Sequence, residues 1–273
     1  MKPTLLIDAD LIVYRIACAC EKRFQFGDEV AISYDEKGAV EALERFVQEL
    51  LAKFHPEKVV MCFTGKRNFR YTVLPEYKSN RKDKEKPKLF HYLKEYCESE
   101  YPCFEEPTLE ADDILGILGS SDTNRYIVCS GDKDLKSVPC VLYNFLTNTV
   151  EAIDTFMANH WFFYQTLLGD TTDCYKGCPQ IGKKKAEAFL QECYTEYGDY
   201  YIGEDSLNEY IWKRVVEKYE ATSEVQAMKA YGVYPLTREI ALQQARVARI
   251  LRDGEYDFNT KEIKLWRSED AIV

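Results

Sequence analysis

The feature that most constrains this sequence is the acidic segment Thr108–Leu118, which reads TLEADDILGIL. It places Glu110, Asp112 and Asp113 within four positions, and apolar residues then follow at the spacing of one helix face. Glu110 and Asp113 share a face of this predicted helix, whereas Asp112 points to one side. Acidic residues in a first helical turn are common partners of the helix dipole, so the segment alone does not define a site.

Short apolar runs separated by an amphipathic helix predict the fold class. Thr4–Asp8 and Lys58–Phe63 have the composition of buried strands, and residues 39–54 between them repeat apolar side chains at helical spacing. A strand, a helix and a second strand in this order are typical of a parallel sheet, so we expect an α/β fold. Further strands are predicted at Arg125–Ser130 and Val141–Phe145.

Carboxylates follow the ends of the predicted strands. Because ligands of parallel α/β sheets bind at the carboxyl ends of the strands, we expect these acids to gather at one edge together with the acidic segment. Like charges in a cluster need positive charge among them, and no histidine or cysteine accompanies these acids. An all-oxygen set favours a hard cation, Mg²⁺ or its substitute Mn²⁺. The nine acids are Asp8, Asp10, Glu110, Asp112, Asp113, Asp132, Asp134, Asp170 and Asp173.

The charge of the chain is unevenly distributed. A formal net charge of −10 argues against simple binding of a polyanion, but setting the nine clustered acids aside leaves about −1. Between Lys66 and Lys94 there are ten lysines and arginines and only three acids. Aromatic residues lie among these cations, which suits a single strand or a frayed end of a nucleic acid. A solvated, flexible basic loop is the simpler interpretation of this stretch.

The second half of the chain is predicted to be helical. Phe156–Leu168 is apolar and aromatic, and the glycine-rich stretch from Gly177 to Lys185 opens a further helix. Backbone N–H groups at a helix start bind anions, and three lysines add positive charge, although the glycines also suit a simple tight turn. Other predicted elements are the helices Ala186–Cys193, Leu207–Tyr219 and Leu236–Leu251, and an edge strand within Tyr256–Trp266.

Cysteine usage and the absence of targeting features indicate a reducing compartment. The ten cysteines follow no repeating framework, which favours free thiols. Cys174 and Cys178 have the spacing of half a zinc site, but no second pair completes it. The sequence shows no signal peptide and no apolar run of membrane-spanning length. We therefore expect a cytoplasmic protein with no membrane association.

Five motifs follow one another along the chain. They are IDAD at 7–10, NFR with LPEYKSNR between 68 and 81, LEADD at 109–113, SGDKDL at 130–135, and LLGDTTD with GCPQIGKKKA between 167 and 186. In this order they closely resemble the flap endonuclease/5′–3′ exonuclease family in its bacteriophage form, and the resemblance extends from about residue 4 to about residue 195. It implies a PIN-like nuclease core over residues 1–155, with a basic arch at about 66–94, and a helical helix–three-turn–helix DNA-binding module with a C-terminal extension over 156–273.

The resemblance also implies roles for individual residues. Eight of the nine acids match the metal-binding carboxylates, and Asp10, which has no counterpart in the motif, is assigned to the outer shell. Tyr77 matches the base-stacking tyrosine, and Lys78 and Arg81 match the cations at the scissile phosphate. The remaining residues assigned to DNA binding are Arg67, Arg70, Lys82, Gly177, Gly182, Lys183, Lys184 and Lys185, and in the family the hairpin Gly177–Lys185 holds a K⁺ ion.

The activity implied is hydrolysis of phosphodiester bonds with two Mg²⁺ ions, from the 5′ ends or flaps of duplex DNA. Removal of RNA primers from hybrids is a further implied activity, in the replication or recombination of a phage. We expect a monomer in the cytoplasm of the host cell. The chain departs from the family where Thr64 replaces an Asp after the second core strand, so one metal ligand is lost or relocated to Asp10.

Two alternatives from other classes stay open at this point. In a phosphatase of the haloacid-dehalogenase type, Asp8 would be the nucleophile, Asp10 the acid and Thr64 a phosphate ligand. In a non-catalytic, structure-specific DNA-binding protein, the acid missing at Thr64 would have disabled cleavage. A PIN-type ribonuclease is a neighbour within the nuclease class, disfavoured by the glycine–lysine hairpin.

Overall fold

A six-stranded sheet forms the centre of the first half of the chain. The computed structural model describes residues 2–27, 29–81, 85–199 and 206–267. Its strands are Thr4–Asp8 (β1), Lys58–Thr64 (β4), Cys103–Glu106 (β5), Tyr126–Cys129 (β6), Cys140–Asn144 (β7) and Thr149–Ile153 (β8). They lie in the order β5-β4-β1-β6-β7-β8; the first five are parallel, and β8 pairs antiparallel with β7. The α/β prediction and its four strands are confirmed, whereas β5 and β8 were not predicted.

The central strand β1 is buried on both faces because its apolar side chains alternate between two cores. Leu5 and Ile7 point into a core made with the helices α1, α2 and α4, whose bounds are Ala9–Cys20, Glu36–Phe54 and Lys88–Glu100. Leu6 points to the opposite face, where α5 (Ala111–Ser121) packs. A strand that is covered on both faces has a continuous apolar sequence. For this reason β1 could be predicted from its sequence.

The acidic segment begins α5 as the sequence predicts. Glu110 is the N-cap residue, and a capping box joins it to Asp113, whose side chain accepts the Glu110 N–H at 3.1 Å. Ile114, Leu115 and Ile117 are buried against the sheet. The capping box therefore fixes the residue at which α5 begins.

Helices dominate the chain after β8. Four of these helices were expected from the sequence; one of them begins three residues earlier and ends six residues later than predicted, and the ends of the other three differ by at most three residues. They share an apolar core of their own, which includes Phe162, Trp212 and Trp266. Their bounds are Thr155–Leu168 (α6), Lys183–Asp199 (α7), Leu207–Glu220 (α8), Glu224–Tyr231 (α9) and Arg238–Ala248 (α10), of which α9 was not predicted. Three helices of the first half were not predicted either, namely α1, the four-residue α3 (Arg70–Val73) and α4. The same holds for the antiparallel pair β2 (Glu21–Phe26) and β3 (Glu29–Tyr34).

The segment that follows α10, residues 249–267, packs against both cores. Ile250 and Leu251 lie in the core beneath the sheet, and Trp266 lies in the core of the helices. The predicted edge strand is wrong, because this segment forms only the isolated bridge between Tyr256 and Ile263. A division of the chain near residue 155 remains a prediction.

All ten cysteines are free, as expected. Within the described ranges, no helix combines the length and the apolar composition that crossing a bilayer requires.

Candidate active site at the carboxyl edge of the sheet

A cavity of about 690 Å³ opens at the carboxyl ends of the central strands. The parallel register of β1, β4 and β6 brings the residues after these strands to one edge. Eight of the nine predicted acids line the cavity, namely Asp8, Asp10, Glu110, Asp112, Asp132, Asp134, Asp170 and Asp173.

Asp8 lies at the centre of this group. Its carboxylate accepts hydrogen bonds from the Ser130 hydroxyl at 2.6 Å and from the Leu11 N–H at 3.1 Å. Burial, together with the neighbouring charges of Asp10 and Asp132, raises the pKa of Asp8 to about 7. Sequence reasoning missed Ser130, although its position directly before Gly131 and Asp132 was a usable indication.

The two acids after β6 are oriented by a short 3₁₀ turn, Lys133–Ser137. Asp132 caps this turn, because its Oδ1 accepts the Asp134 N–H at 2.8 Å. Asp134 Oδ1 is buried and accepts no hydrogen bond from the described residues, but it forms an ion pair with Lys133 Nζ at 3.4 Å. Burial and the nearby Asp132 raise the pKa of Asp134 to about 7. Burial and the charges of Asp8 and Asp132 likewise raise the pKa of Asp112 well above its usual range.

A second group of contacts joins acids to cations that also line the cavity. Lys78 Nζ lies 2.5 Å from Glu110 Oε1 and 3.7 Å from Asp173 Oδ2. Arg81 pairs with Asp173 at 2.7 Å. Burial opposes the ionisation of Glu110, but the charges of Lys78 and Arg70 outweigh it and lower the pKa of Glu110 to about 2.

Asp113 is the one predicted metal ligand that does not line the cavity. Its side chain is fully buried, and both of its oxygens accept hydrogen bonds at 2.7 Å from Arg70. Arg70 is 2% exposed, so it is not placed to contact DNA as predicted. The two assignments need correction because these side chains are opposite ends of one buried ion pair.

Tyr77 also differs from its predicted role. The ring is 3% exposed, and the hydroxyl lies 2.9 Å from Glu110 Oε2 and 3.1 Å from Asp173 Oδ2. A buried ring offers no face to a base, so base stacking is not supported by this arrangement. The neighbouring Tyr71, whose ring centroid is 6.1 Å from that of Tyr77, is the exposed aromatic residue here.

Thr64 and Asp10 are direct neighbours at the edge of the sheet. The Thr64 N–H donates to Asp10 Oδ2 at 2.6 Å, and the Thr64 hydroxyl accepts the Ala111 N–H at 3.0 Å. Asp10 therefore brings a carboxylate to the place where Thr64 has none. Its outer-shell assignment remains a prediction.

The glycine–lysine hairpin connects α6 to α7 and divides into two parts. Gly177 has φ 65° and packs against the backbone of Gly169, its N–H donates to Gln244 Oε1, and its carbonyl accepts from Tyr231. It is therefore a packing residue and not a phosphate contact. Gly182 and the three lysines that follow it are exposed at the start of α7, as an anion site requires.

The other predicted DNA contacts are only partly described. Arg67 is exposed. Lys82 lies outside the described residues.

The two cysteines with the spacing of half a zinc site differ in exposure, because Cys178 is buried while Cys174 is partly exposed. In the described ranges, no three histidine, cysteine or acidic side chains are close enough together to hold one metal ion.

Fold and site together define a class of protein. A parallel α/β sheet that gathers carboxylates from several elements beside lysine and arginine is suited to the hydrolysis of phosphate esters. Comparison with known proteins shows which family within this class the chain belongs to. The sequence model of the 5′–3′ exonuclease family, N-terminal resolvase-like domain, matches residues 3–159. The chain belongs to this family, and it is a 5′–3′ exonuclease, a phosphodiester hydrolase.

The similarity to relatives extends over nearly the whole chain. The exonuclease of Escherichia phage T7 is 31% identical over 97% of this chain and 94% of its own length. The exodeoxyribonuclease of Enterobacteria phage T3 is 30% identical over 97% of this chain and 93% of its own length. Family membership rules out the phosphatase that the sequence alone left open, and the exonuclease relatives favour an enzyme over the non-catalytic binding protein.

Solved structures share the fold. The T5 5′-exonuclease with bound zinc ions has a TM-score of 0.59 at 17% identity, over 90% of this chain and 89% of that chain. A pseudo-enzyme–product complex of the bacteriophage T5 flap endonuclease with DNA and metal ions has a TM-score of 0.53 at 17% identity, over 89% and 99% of the two chains. At this identity the likeness shows the fold alone.

Proposed function

We propose that the enzyme hydrolyses phosphodiester bonds at the 5′ ends and flaps of duplex DNA, with two divalent cations in the described cavity. Mg²⁺ is the proposed ion and Mn²⁺ its substitute. The observation that carries this proposal is that carboxylates from separate elements line one cavity beside Lys78 and Arg81. The proposed ligands are Asp8, Glu110, Asp112, Asp132, Asp134, Asp170 and Asp173, with Asp10 in an outer position.

The residues fit such cations. The donor set is all oxygen, and the buried Asp134 Oδ1 accepts no hydrogen bond from the described residues, with the exposed Lys133 ammonium 3.4 Å away as its counter-charge. Burial and like charges raise the pKa values of Asp8 and Asp134 to about 7. Positive charge would relieve this repulsion. Mg²⁺ keeps several waters and uses few carboxylates directly, so acids that surround a cavity without converging on one point suit it.

The chain's own groups supply the rest of the chemistry. When bound, divalent cations lower the pKa of an attacking water and stabilise the leaving oxygen. Lys78 and Arg81, held at the cavity wall by Glu110 and Asp173, are placed to neutralise charge on the phosphate. Ser130 and the Leu11 N–H fix the Asp8 carboxylate, so that its orientation does not depend on the substrate.

Duplex DNA is proposed to bind across the helical module. The exposed start of α7, with Gly182 and Lys183–Lys185, offers backbone N–H groups and charge to a phosphate, and a K⁺ ion at the hairpin is part of the proposal. The exposed Arg67 lies on the arch side. We further propose a nuclease core over 1–155 and a DNA-binding module over 156–273. We also propose that the enzyme acts on RNA–DNA hybrids, that it is a monomer and that it works in the cytoplasm of the host cell.

Cleavage of end-labelled duplex and 5′-flap substrates tests the function. In Mg²⁺ we expect early release of a 5′ label as mononucleotides or short oligonucleotides, while a 3′ label stays on long products. EDTA should abolish release of both. Early release of the 3′ label, or cleavage that persists in EDTA, would contradict the proposal.

Divalent cations are expected to stabilise the protein more at about pH 8 than at about pH 5.5. Asp8 and Asp134 have pKa values of about 7, raised from 3.8, so the folded protein favours their protonated forms. The resulting contribution to the free energy of unfolding is fully present below about pH 4 and is lost as the pH rises through 7. Mg²⁺ competes with protons for these groups and restores stability where they are ionised. At saturating Mg²⁺ the melting temperature should rise by about 5–10 °C at the higher pH.

Scanning calorimetry in EDTA and in Mg²⁺ measures this difference. The double variant Asp8→Asn/Asp134→Asn is the control, because it removes both titrating groups, and its melting temperature should respond little to Mg²⁺ at either pH. Equal stabilisation of the natural protein at the two pH values would show that these acids do not hold the cation.

The lysines at the start of α7 are expected to set the salt dependence of DNA binding. In Lys183→Ala/Lys184→Ala, the slope of the logarithm of the binding constant against the logarithm of the salt concentration should fall by up to about 2, because each phosphate contact contributes about 0.9. Fluorescence anisotropy with a duplex in EDTA measures it. The control Lys37→Ala/Lys58→Ala removes the same charge from exposed positions elsewhere, and an equal effect there would exclude a specific contact.

A further inference from the structure

Arg70 is a buried cation whose hydrogen-bonding capacity is completely used. A guanidinium carries five N–H donors. The side chain is 3% exposed, and the five contacts that it makes all end on protein acceptors. They are Nε to the Val247 carbonyl at 3.0 Å, Nη1 to Asp113 Oδ2 at 2.7 Å and to Glu110 Oε2 at 3.3 Å, and Nη2 to Asp113 Oδ1 at 2.7 Å and to the Arg249 carbonyl at 2.6 Å.

These acceptors belong to two parts of the chain that meet at the cavity. Glu110 and Asp113 begin α5, whereas Val247 and Arg249 lie 177 and 179 residues after Arg70, at the end of α10. The Leu251 N–H also donates to Asp113 Oδ1 at 3.2 Å. The Arg70–Asp113 pair therefore joins the acidic helix start to the C-terminal segment.

The pair also helps to hold Glu110. Asp113 accepts the Glu110 N–H at 3.1 Å and so fixes its backbone, while Arg70 donates to Glu110 Oε2 beside the Tyr77 hydroxyl, and Lys78 donates to the other oxygen, Oε1. Each Asp113 oxygen already accepts two hydrogen bonds. Asp113 has no oxygen turned to the cavity, and its charge acts on the site only through Arg70 and Glu110.

We propose that Arg70 is a positioning residue for hydrolysis, which acts through Asp113 to hold Glu110 and the C-terminal segment at the cavity. This inference rests on the proposed function, because it assigns Glu110 to that site. A lysine cannot replace the arginine: it has three donors on one nitrogen and cannot form the planar, two-pronged contact with Asp113.

Arg70→Lys tests the proposal. We expect kcat to fall by about 100-fold, as small displacements of reacting groups do, with KM and the DNA dissociation constant in EDTA nearly unchanged. Mn²⁺ binding without DNA, followed by electron paramagnetic resonance, should weaken by about 10-fold or more. The matched control is Arg214→Lys: this half-buried arginine of α8 also pairs with acids, Glu196 and Glu217, and its side chain contacts no acid of the cavity. It should keep the kcat and the Mn²⁺ affinity of the natural protein.

A second variant keeps the test decisive if Arg70→Lys does not fold. Arg70→Met/Asp113→Leu replaces the whole pair by apolar side chains, which often preserves stability where removing one partner does not. It should fold and show the same fall in kcat and in Mn²⁺ affinity. A folded Arg70 variant with the kcat and the Mn²⁺ affinity of the natural protein would overturn the proposal, and so would an equal loss in Arg214→Lys.

Different results would refute the proposed function and the proposed role of Arg70. A natural protein that does not cleave DNA in Mg²⁺ refutes the proposed function, and the Mn²⁺ titration still decides whether Arg70 organises the cavity. Cleavage by the natural protein together with unchanged Arg70 variants refutes the role of Arg70 alone.

Discussion

Replacement of Asp132 by alanine is expected to lower the Mg²⁺-dependent release of a 5′ label by about 1,000-fold or more. A bound cation contributes several kcal/mol to the stabilisation of a hydrolytic transition state, and each 1.36 kcal/mol corresponds to a factor of ten in rate. Asp132 lines the cavity, and its charge acts directly on Asp8, Asp112 and Asp134. Single-turnover cleavage of a labelled duplex measures the loss.

The variant Asp132→Asn removes the negative charge of residue 132 but can keep the hydrogen bond that caps the turn. The amide oxygen of asparagine can still accept the Asp134 N–H, now bonded at 2.8 Å, so the turn that follows β6 keeps its cap. Asp132→Asn should therefore melt near the natural protein and still lose cleavage. Asp122→Asn is the control, because Asp122 makes a similar contact, to the Asn124 N–H, near the amino end of β6. Full activity in Asp132→Asn would remove Asp132 from the proposed ligands.

The sequence predicts the cavity well because its main determinants are local. An apolar run with an acid at its end specifies both a buried strand and the place of its carboxylate, as β1 with Asp8 shows. Parallel pairing then brings such ends together without further information. The antiparallel strands β2 and β3 lacked this apolar character, and they were not predicted for that reason.

Long-range contacts explain the assignments that sequence reasoning placed wrongly. Whether Asp112 or Asp113 faces the cavity depends on Arg70, and Arg70 is held by carbonyls of a segment that follows about 180 residues later. Gly177 is committed to packing because Gln244 and Tyr231 reach it from distant helices. No local pattern contains this information, whereas burial and hydrogen-bond partners give it directly.

Lys78→Ala is expected to lower kcat by about 100- to 1,000-fold, because one preorganised charge at a reacting group contributes about 3–4 kcal/mol. The ammonium group is partly buried between Glu110 and Asp173, and their charges outweigh burial and raise its pKa, so it remains charged at neutral pH. Rapid-quench cleavage at saturating DNA measures kcat, and anisotropy in EDTA measures binding. Binding should change far less than kcat, since one exposed phosphate contact is a small part of the interface.

The backbone of Lys78 provides a matched variant. Its φ is 50°, a conformation that glycine adopts more readily than alanine. If the ammonium group causes the loss, Lys78→Gly and Lys78→Ala should lose kcat equally, although the glycine variant melts at a higher temperature. A loss confined to the alanine variant would show that backbone strain, and not charge at the phosphate, is responsible. Lys58→Ala, at the amino end of β4, should retain full activity.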